Sequence, residues 1–175
     1  MYFWVKSINM RKYYLIYFVA LLSFSAFSQE NERSTYYLIR HAEKDRSDTT
    51  NKNPDLTIIG QKRAMKWSQI LSKFGIDAIY STNYKRTLQT AKPTADDNNV
   101  RIKIYDPFNI DMEIFCNETK GKNVLIVGHS NTTAAFANKL IGKEAYPEIK
   151  DDNNANLYIV TIEVEKISHV LIKMK

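Results

Sequence analysis

The sequence predicts an α/β domain with a mainly parallel sheet and helices on both of its faces. Short apolar segments rich in β-forming residues alternate along the chain with segments of helical periodicity, which is the pattern of strand–helix–strand units. Residues 124–127 are apolar at four consecutive positions, as is typical of a strand buried on both faces at the centre of a parallel sheet. Two segments near the end of the chain predict an additional antiparallel pair.

Length and composition favour a single globular domain. The chain has 175 residues, of which 44% are hydrophobic and 25% charged. One cysteine, Cys116, excludes an internal disulfide framework and a metal site built from cysteines. The formal charge is +6, of which residues 1–28 supply +3, and so mild an excess without a basic stripe does not indicate nucleic-acid binding.

The N-terminus has the pattern of a secretory signal peptide. Lys6, Arg11 and Lys12 precede an apolar run, and the small-x-small exit at residues 26–28 is followed by an abruptly polar segment. We therefore expect a signal peptide at residues 1–28 and an exported domain, periplasmic or extracellular, at residues 29–175. The apolar run is short for a membrane span, so an uncleaved membrane anchor is the less favoured alternative. If this segment stays uncleaved, it is the only part of the chain that we expect to contact a membrane.

The first half of the chain predicts two strand–helix units. A strand at residues 35–39 runs into Arg40 and His41, and a polar loop follows at residues 45–54. Thr57 is the expected N-cap of a helix that ends before Gly75. The apolar face of this helix comprises Ala64, Trp67, Ile70, Leu71 and Phe74. A strand at residues 77–80 then precedes a helix from Tyr84 to about Ala91.

The second half continues this alternation and ends in a hairpin. Residues 100–105 alternate as a half-exposed strand does, and residues 110–117 predict a short helix with Asp111 in its first turn. The central strand at 124–127 leads to a helix that ends at Gly142. Residues 157–164 and 167–174 are expected to form two strands around Glu165 and Lys166.

Basic side chains follow three of the predicted parallel strands. Arg40 and His41 follow the first, Arg86 comes shortly after the second, and Gly128 and His129 end the central one. The carboxyl ends of parallel strands share one sheet edge, so two arginines and two histidines are expected to converge there. Arginine forks bind phosphate oxygens in pairs, and a neutral imidazole is a competent nucleophile. Gly128 would let the backbone approach a ligand closely.

These residues lie in blocks that resemble the histidine phosphatase superfamily, in its phosphoglycerate-mutase-like branch and its short SixA-like form. The blocks are residues 38–43, 56–60, 80–91 and 127–131, in that order. The resemblance implies a three-layer sandwich and a metal-independent phosphatase acting through a phosphohistidine on His41. It also implies that Arg40 and Arg86 bind the phosphoryl oxygens and that His129 stabilises the transferring group.

The general acid is less clearly indicated. The branch places a carboxylate after the second arginine motif, where Asp111 and Glu113 stand, but acids are also favoured in the first turn of a helix. Glu43 is expected to orient the loop beside His41, and Asn131 is a candidate for substrate binding at the pocket rim. Without an acid, only substrates with good leaving groups would turn over quickly.

The expected partner is a small phosphorylated substrate or a phosphohistidine peptide, with no cofactor, no metal and no nucleic acid; the sequence does not predict the oligomeric state. A metal site using His41 and Glu43 is the minor alternative. A phosphomutase would need loops for which the chain looks too short. A non-catalytic phosphate- or sulfate-binding module on the same scaffold is the third alternative.

Overall fold

The computed structural model of the protein describes residues 33–164 and 166–174. In chain order their elements are β1 (Arg33–Arg40), α1 (Ile58–Leu71), β2 (Ala78–Ser81), α2 (Lys85–Asn98), β3 (Ile102–Ile104), α3 (Met112–Glu118), β4 (Asn123–Gly128), α4 (Ser130–Ile141), β5 (Asn156–Glu163) and β6 (Lys166–Lys173), with a 3-10 turn at Ser72–Phe74 after α1. The signal peptide expected at residues 1–28 lies outside the described residues. Within the described residues, no helix has the length and apolar character needed to cross a membrane.

The six strands form one sheet in the order β3-β2-β4-β1-β5-β6. The strands β3, β2, β4 and β1 run parallel, whereas β5 pairs antiparallel with β1, and β6 antiparallel with β5. The apolar strand β4 lies between β2 and β1, as its composition predicts. The expected α/β class with a mainly parallel sheet and a final antiparallel pair is confirmed.

Helices cover both faces of this sheet because successive side chains of each strand point to opposite sides. Leu38 packs in one core with Phe136 of α4, and α3 also contributes to this core. Ile39 packs in a second core with Trp67 of α1, and α2 contributes to that one. The result is the expected three-layer sandwich.

The helix ends follow the predicted capping residues. The Thr57 hydroxyl accepts a hydrogen bond from the Gly60 N–H at 3.0 Å and caps α1. Gly75 ends the 3-10 turn and Gly142 ends α4, both with the positive φ that glycine adopts without strain. Gly60 packs so closely on the backbone of Glu43 that a β-carbon there would overlap it.

Two predicted element boundaries are wrong. Helix α2 continues through Pro93 to Asn98 and ends at Asn99, which has a φ of 53°. Proline removes one backbone hydrogen bond, but the turn beyond it buries Ala95 in the core shared with α1. The predicted strand at 100–105 is only Ile102–Ile104, because β3 is the edge strand and pairs with β2 alone.

Phe74 was expected in the apolar face of α1 and instead is 45% exposed. It falls in the 3-10 turn after α1, where the helical spacing no longer holds. Its ring stacks on Tyr37 with the ring centroids 5.1 Å apart.

Candidate active site

Three neighbouring strands bring the predicted basic residues to one sheet edge. The register pairs Arg40 of β1 with Gly128 of β4, and the His41 N–H donates to the Gly128 carbonyl at 3.0 Å. Strand β2 ends at Ser81 beside β4, and Arg86 follows in the first turn of α2. Arg40, His41, Arg86 and His129 all line one cavity of about 630 Å³. The structure therefore brings together the four side chains that the sequence predicted to converge.

His41 is buried, and its hydrogen bonding fixes its tautomer. Its Nδ1 lies 2.7 Å from the carbonyl oxygen of Ala42. Because a carbonyl can only accept, Nδ1 carries the hydrogen and Nε2 keeps its lone pair. Burial lowers the pKa of His41 to about 3, and the charge of Arg40 lowers it as well, although the bond to Ala42 opposes both. The imidazole is therefore neutral near pH 7, with Nε2 available to attack.

His129 is fixed in the opposite tautomer by a chain of threonine hydroxyls. The Thr82 hydroxyl donates to Thr87 at 3.1 Å, and the Thr87 hydroxyl in turn reaches backbone carbonyls. Because the Thr82 hydroxyl donates its hydrogen to Thr87, its oxygen must accept the hydrogen bond from His129 Nε2–H, at 2.8 Å. The other ring nitrogen, Nδ1, faces the Arg86 guanidinium at 3.4 Å. Burial, and then Arg86, lowers the pKa of His129 to about 4.

Arg40 is buried, and other residues of the protein already bind the terminal nitrogens of its guanidinium group. Nη1 donates to the carbonyl oxygens of Lys150 at 2.9 Å and Asn153 at 3.2 Å, and Nη2 pairs with the Asp151 carboxylate. The segment 150–153 therefore occupies the nitrogens that the sequence assigned to an oxyanion. Only Nε has no protein partner among the described residues.

Arg86 is held by an aromatic ring. Its Cζ lies 4.4 Å from the centroid of Tyr84, whose ring also meets His129 edge-on. Its Nε is buried and has no hydrogen-bond partner in the described part of the chain, and the same holds for the Tyr105 hydroxyl. With Arg40 Nε, three buried donors therefore belong to residues lining this cavity. These three atoms are themselves buried, and it is the positive charge of Arg40 and Arg86 at the cavity that favours an anion there.

The two carboxylates predicted as general acids do not line the cavity. Asp111 is the N-cap of α3, and its side chain accepts from the N–H groups of Glu113 and Ile114 at 2.9 and 3.1 Å. Glu113 lies exposed in the first turn of the same helix. Both acids therefore lie at the N-terminus of a helix, where acidic residues are favoured, and this was the alternative explanation for them in the sequence.

The acids that do line the cavity are Asp106 and Asp151, neither of which the sequence pattern marks as a site residue. Asp106 holds a turn, accepting from the Phe108 N–H at 2.9 Å and from Asn109 Nδ2 at 2.7 Å, and these bonds lower its pKa. Hydrogen bonding to Arg46, and then to Arg40, lowers the pKa of Asp151 to about 2 although burial opposes it. Neither carboxyl group holds a proton at neutral pH.

The remaining predicted residues lie around this centre. Asn131, at the start of α4, is exposed and lines the cavity. Gly128, which the sequence suggested would let the backbone approach a ligand, is not among the residues that line the cavity. A β-carbon there would meet the side chains of Thr132, Thr133 and Tyr105, so Gly128 provides space for the protein's own packing.

Glu43 turns to a structural partner rather than to the cavity. Its carboxylate accepts from Arg63 Nε at 2.8 and 2.9 Å, and Arg63 Nη2 lies 2.7 Å from the same group. This pairing fixes the loop beside His41, which is the role expected for Glu43 from the sequence. Among the described residues, no group of three histidine, cysteine or acidic side chains is placed to hold a metal ion.

Comparison with protein families supports the resemblance inferred from the sequence. The model of the histidine phosphatase superfamily (branch 1) matches residues 36–109, which include Arg40, His41 and Arg86. No curated protein has a significant sequence match to the chain. The resemblance to this superfamily that the sequence indicated is therefore confirmed by the family model over these residues.

Several solved structures share the fold. A protein assigned as the phosphohistidine phosphatase SixA from Agrobacterium tumefaciens is 18% identical with a TM-score of 0.59, over 79% of this chain and 97% of that one. A mycobacterial glucosyl-3-phosphoglycerate phosphatase is 12% identical with a TM-score of 0.58, over 81% and 98%. YhfR from Bacillus stearothermophilus is 15% identical with a TM-score of 0.62, over 81% and 97%. At such identities these likenesses establish the fold.

Proposed function

From the premise that this chain carries the fold and the branch 1 sequence pattern of the histidine phosphatase superfamily, we propose that it is a phosphatase acting through a phosphohistidine on His41. Phosphatase activity is supported by the family match and the SixA-like neighbours. The observation that carries the finer proposal is the hydrogen bond from His41 Nδ1 to the Ala42 carbonyl, which leaves Nε2 with its lone pair in the basic cavity.

The first step transfers the phosphoryl group to the protein. His41 Nε2 attacks phosphorus, the new N–P bond forms as the bond to the leaving oxygen or nitrogen breaks, and the leaving group departs with the bonding electrons. Nδ1 keeps its hydrogen and shares the developing positive charge of the ring with the Ala42 carbonyl. Arg40 and Arg86 stabilise the negative charge on the phosphoryl oxygens.

The second step returns the free enzyme. Water attacks phosphorus and the N–P bond breaks with its electrons returning to Nε2. Inorganic phosphate leaves with the water oxygen and one of its hydrogens, and the other proton passes to solvent, where it balances the proton taken up by the departed leaving group. His129 lies beside the reacting ring, with the ring centroids 5.5 Å apart, and we assign it to contact the transferring group. None of these steps uses a metal ion.

The proposed substrates are small phosphorylated molecules or phosphohistidine peptides with activated leaving groups. Both acids that line the cavity have lowered pKa values and fixed hydrogen bonds, and the predicted acids lie outside it. An alkoxide leaving group would therefore depart without a proton, which is slow. We also propose that the protein is exported, because residues 1–28 have the composition of a signal peptide.

Trapping the intermediate tests the proposal. The full chain is mixed with phosphorus-labelled 4-nitrophenyl phosphate and quenched in base, in which phosphohistidine survives. We expect wild type to carry the label and His41→Ala to lack it. Circular dichroism should show that both proteins are folded. His169→Ala, which changes an exposed histidine on β6, is the control. Phosphate binding without release or labelling would instead identify a non-catalytic binding module.

A further inference from the structure

One wall of the cavity is apolar and faces solvent. Phe108 is 73% exposed and Ile104 is 54% exposed, although both are large hydrophobic residues. Pro107, Tyr105 and Tyr84 line the same cavity. Exposed apolar residues that line the same cavity indicate contact with a ligand more strongly than scattered ones do.

This wall is held in place by hydrogen bonds. The Tyr105 N–H donates to the Ser81 carbonyl at 3.1 Å and ties the segment to the end of β2. Asp106 accepts from the Phe108 N–H, and from Asn109 as well, so the turn that exposes the Phe108 ring is fixed from both sides. The ring is therefore presented to solvent by an ordered turn.

The rest of the cavity has a different character. Arg40, Lys44 and Arg86 supply positive charge beside the two histidines, where the phosphoryl group would bind. The cavity volume of about 630 Å³ is in the range of small-molecule sites and exceeds what a phosphoryl group fills. The apolar wall is thus available to the part of the substrate beyond phosphorus.

We propose that the substrate is a small phosphorylated molecule whose leaving group carries an aromatic or heteroaromatic ring, which packs against Phe108 and Ile104. Aromatic rings pair favourably with aromatic side chains beyond the area they bury. Ring-bearing phenols and heterocycles also leave without full protonation, which agrees with a cavity whose acids are both engaged in hydrogen bonds. This inference deepens the proposed function and rests on it for the position of the phosphoryl group.

The test compares two phosphonates, one carrying a phenyl ring and the other a methyl group. Phenylphosphonate and methylphosphonate are titrated into the full chain by calorimetry, so that binding is measured without turnover. We expect wild type to bind phenylphosphonate about tenfold more tightly, and Phe108→Ala to reduce this preference to about twofold or less. Phe74→Ala, the same change at an exposed phenylalanine outside the cavity, should keep the wild-type preference.

The outcomes separate this inference from the proposed function. Equal affinity of wild type for the two phosphonates, or an unchanged preference in Phe108→Ala, would overturn the role of the wall. If the preference is lost in Phe108→Ala but wild type releases no phosphate from any substrate, the ring site stands and the catalytic proposal fails. Phosphate release from 4-nitrophenyl phosphate that is insensitive to Phe108→Ala would count against the wall as well.

Discussion

The rings of His41 and His129 meet edge to face with their centroids 5.5 Å apart, and the chain holds them in opposite tautomers. His41 donates from Nδ1 to a backbone carbonyl, whereas His129 donates from Nε2 to a threonine hydroxyl. Two charged imidazoles this close, beside two guanidinium groups, would repel one another. The fold therefore keeps both neutral, and it leaves His41 Nε2 without a hydrogen while His129 Nδ1 faces the Arg86 guanidinium.

The first prediction concerns stability and pH. An unfolded histidine binds a proton near pH 6.5, whereas folded His41 does so only near pH 3 and His129 near pH 4. Because the unfolded chain binds more protons over this interval, the free energy of unfolding should fall as the pH is lowered from about 6.5 towards 4. The slope is at most about 1.4 kcal/mol per pH unit for each histidine.

Urea denaturation of wild type and His41→Asn at pH 7, 6 and 5 measures this slope. The asparagine variant removes one of the two titrating groups, so its stability should depend less steeply on pH. Parallel pH dependences of the two proteins would mean that His41 is not held neutral by the fold.

The second prediction concerns Thr82, whose hydroxyl fixes the His129 tautomer. Thr82→Val keeps the side-chain shape but leaves His129 Nε2–H without its acceptor, and we expect kcat/KM to fall about five- to tenfold. Nitrogen NMR of the imidazole should show a mixture of tautomers. Thr82→Ser keeps the hydroxyl and should retain both the wild-type kcat/KM and the single tautomer. Thr94→Val removes another buried threonine hydroxyl, one with no partner among the described residues, and serves as the control.

The third prediction concerns the shape of the Arg86 side chain. A lysine keeps the charge but loses the planar contact with Tyr84 and the Nη2 contact with His129. We expect Arg86→Lys to lower kcat/KM about tenfold or more, the effect of one lost charge-assisted hydrogen bond. Lys85→Arg, at the neighbouring exposed position, is the charge-conserving control. A loss below about twofold would show that Arg86 does not touch the phosphoryl group.

The fourth prediction concerns Asp151, which holds the Arg40 fork and adds negative charge to the cavity wall. Asp151→Asn keeps a hydrogen-bond acceptor for Arg40 but removes the charge. We expect inorganic phosphate to inhibit this variant about two- to fivefold more tightly, in line with the energy of an exposed ion pair. Asp152→Asn removes the next carboxylate, which does not line the cavity, and should behave as wild type. Unchanged or weaker inhibition would contradict the competition for Arg40.

The sequence predicted the basic centre because strand ends are local features. Apolar runs that stop at Arg40 and at His129 mark where two parallel strands end, and parallel strands end at one edge. The branch 1 pattern then supplied the roles that we propose. Periodicity and capping residues likewise predicted α1 and α4, because each depends on neighbours within a few residues.

The acids in the cavity could not be selected in the same way. Asp151 reaches Arg40 because β5 runs antiparallel to β1, so the residues before β5 must lie beside the carboxyl end of β1. The sequence predicted a final hairpin but not which strand it joins. Asp106 stands before Pro107, a pair typical of turns, and only the tertiary structure shows that this turn lines the same cavity as the histidines.

The last prediction concerns Gly60, where α1 meets the loop that follows His41. Replacing an exposed glycine in a helix with alanine normally raises the free energy of unfolding, by up to about 1 kcal/mol. At Gly60 a β-carbon would overlap the Glu43 carbonyl oxygen, which also accepts the Thr57 N–H at 2.9 Å. Helix and loop would have to separate, so we expect Gly60→Ala to lower the free energy of unfolding by about 1–3 kcal/mol, the cost of overpacking.

Because Glu43 follows His41 by two positions, kcat/KM should fall too. Urea denaturation and kinetics measure both effects, with Ile59→Ala at the exposed neighbouring position as the control. A Gly60→Ala protein as stable and active as wild type would show that α1 does not hold the loop that follows His41.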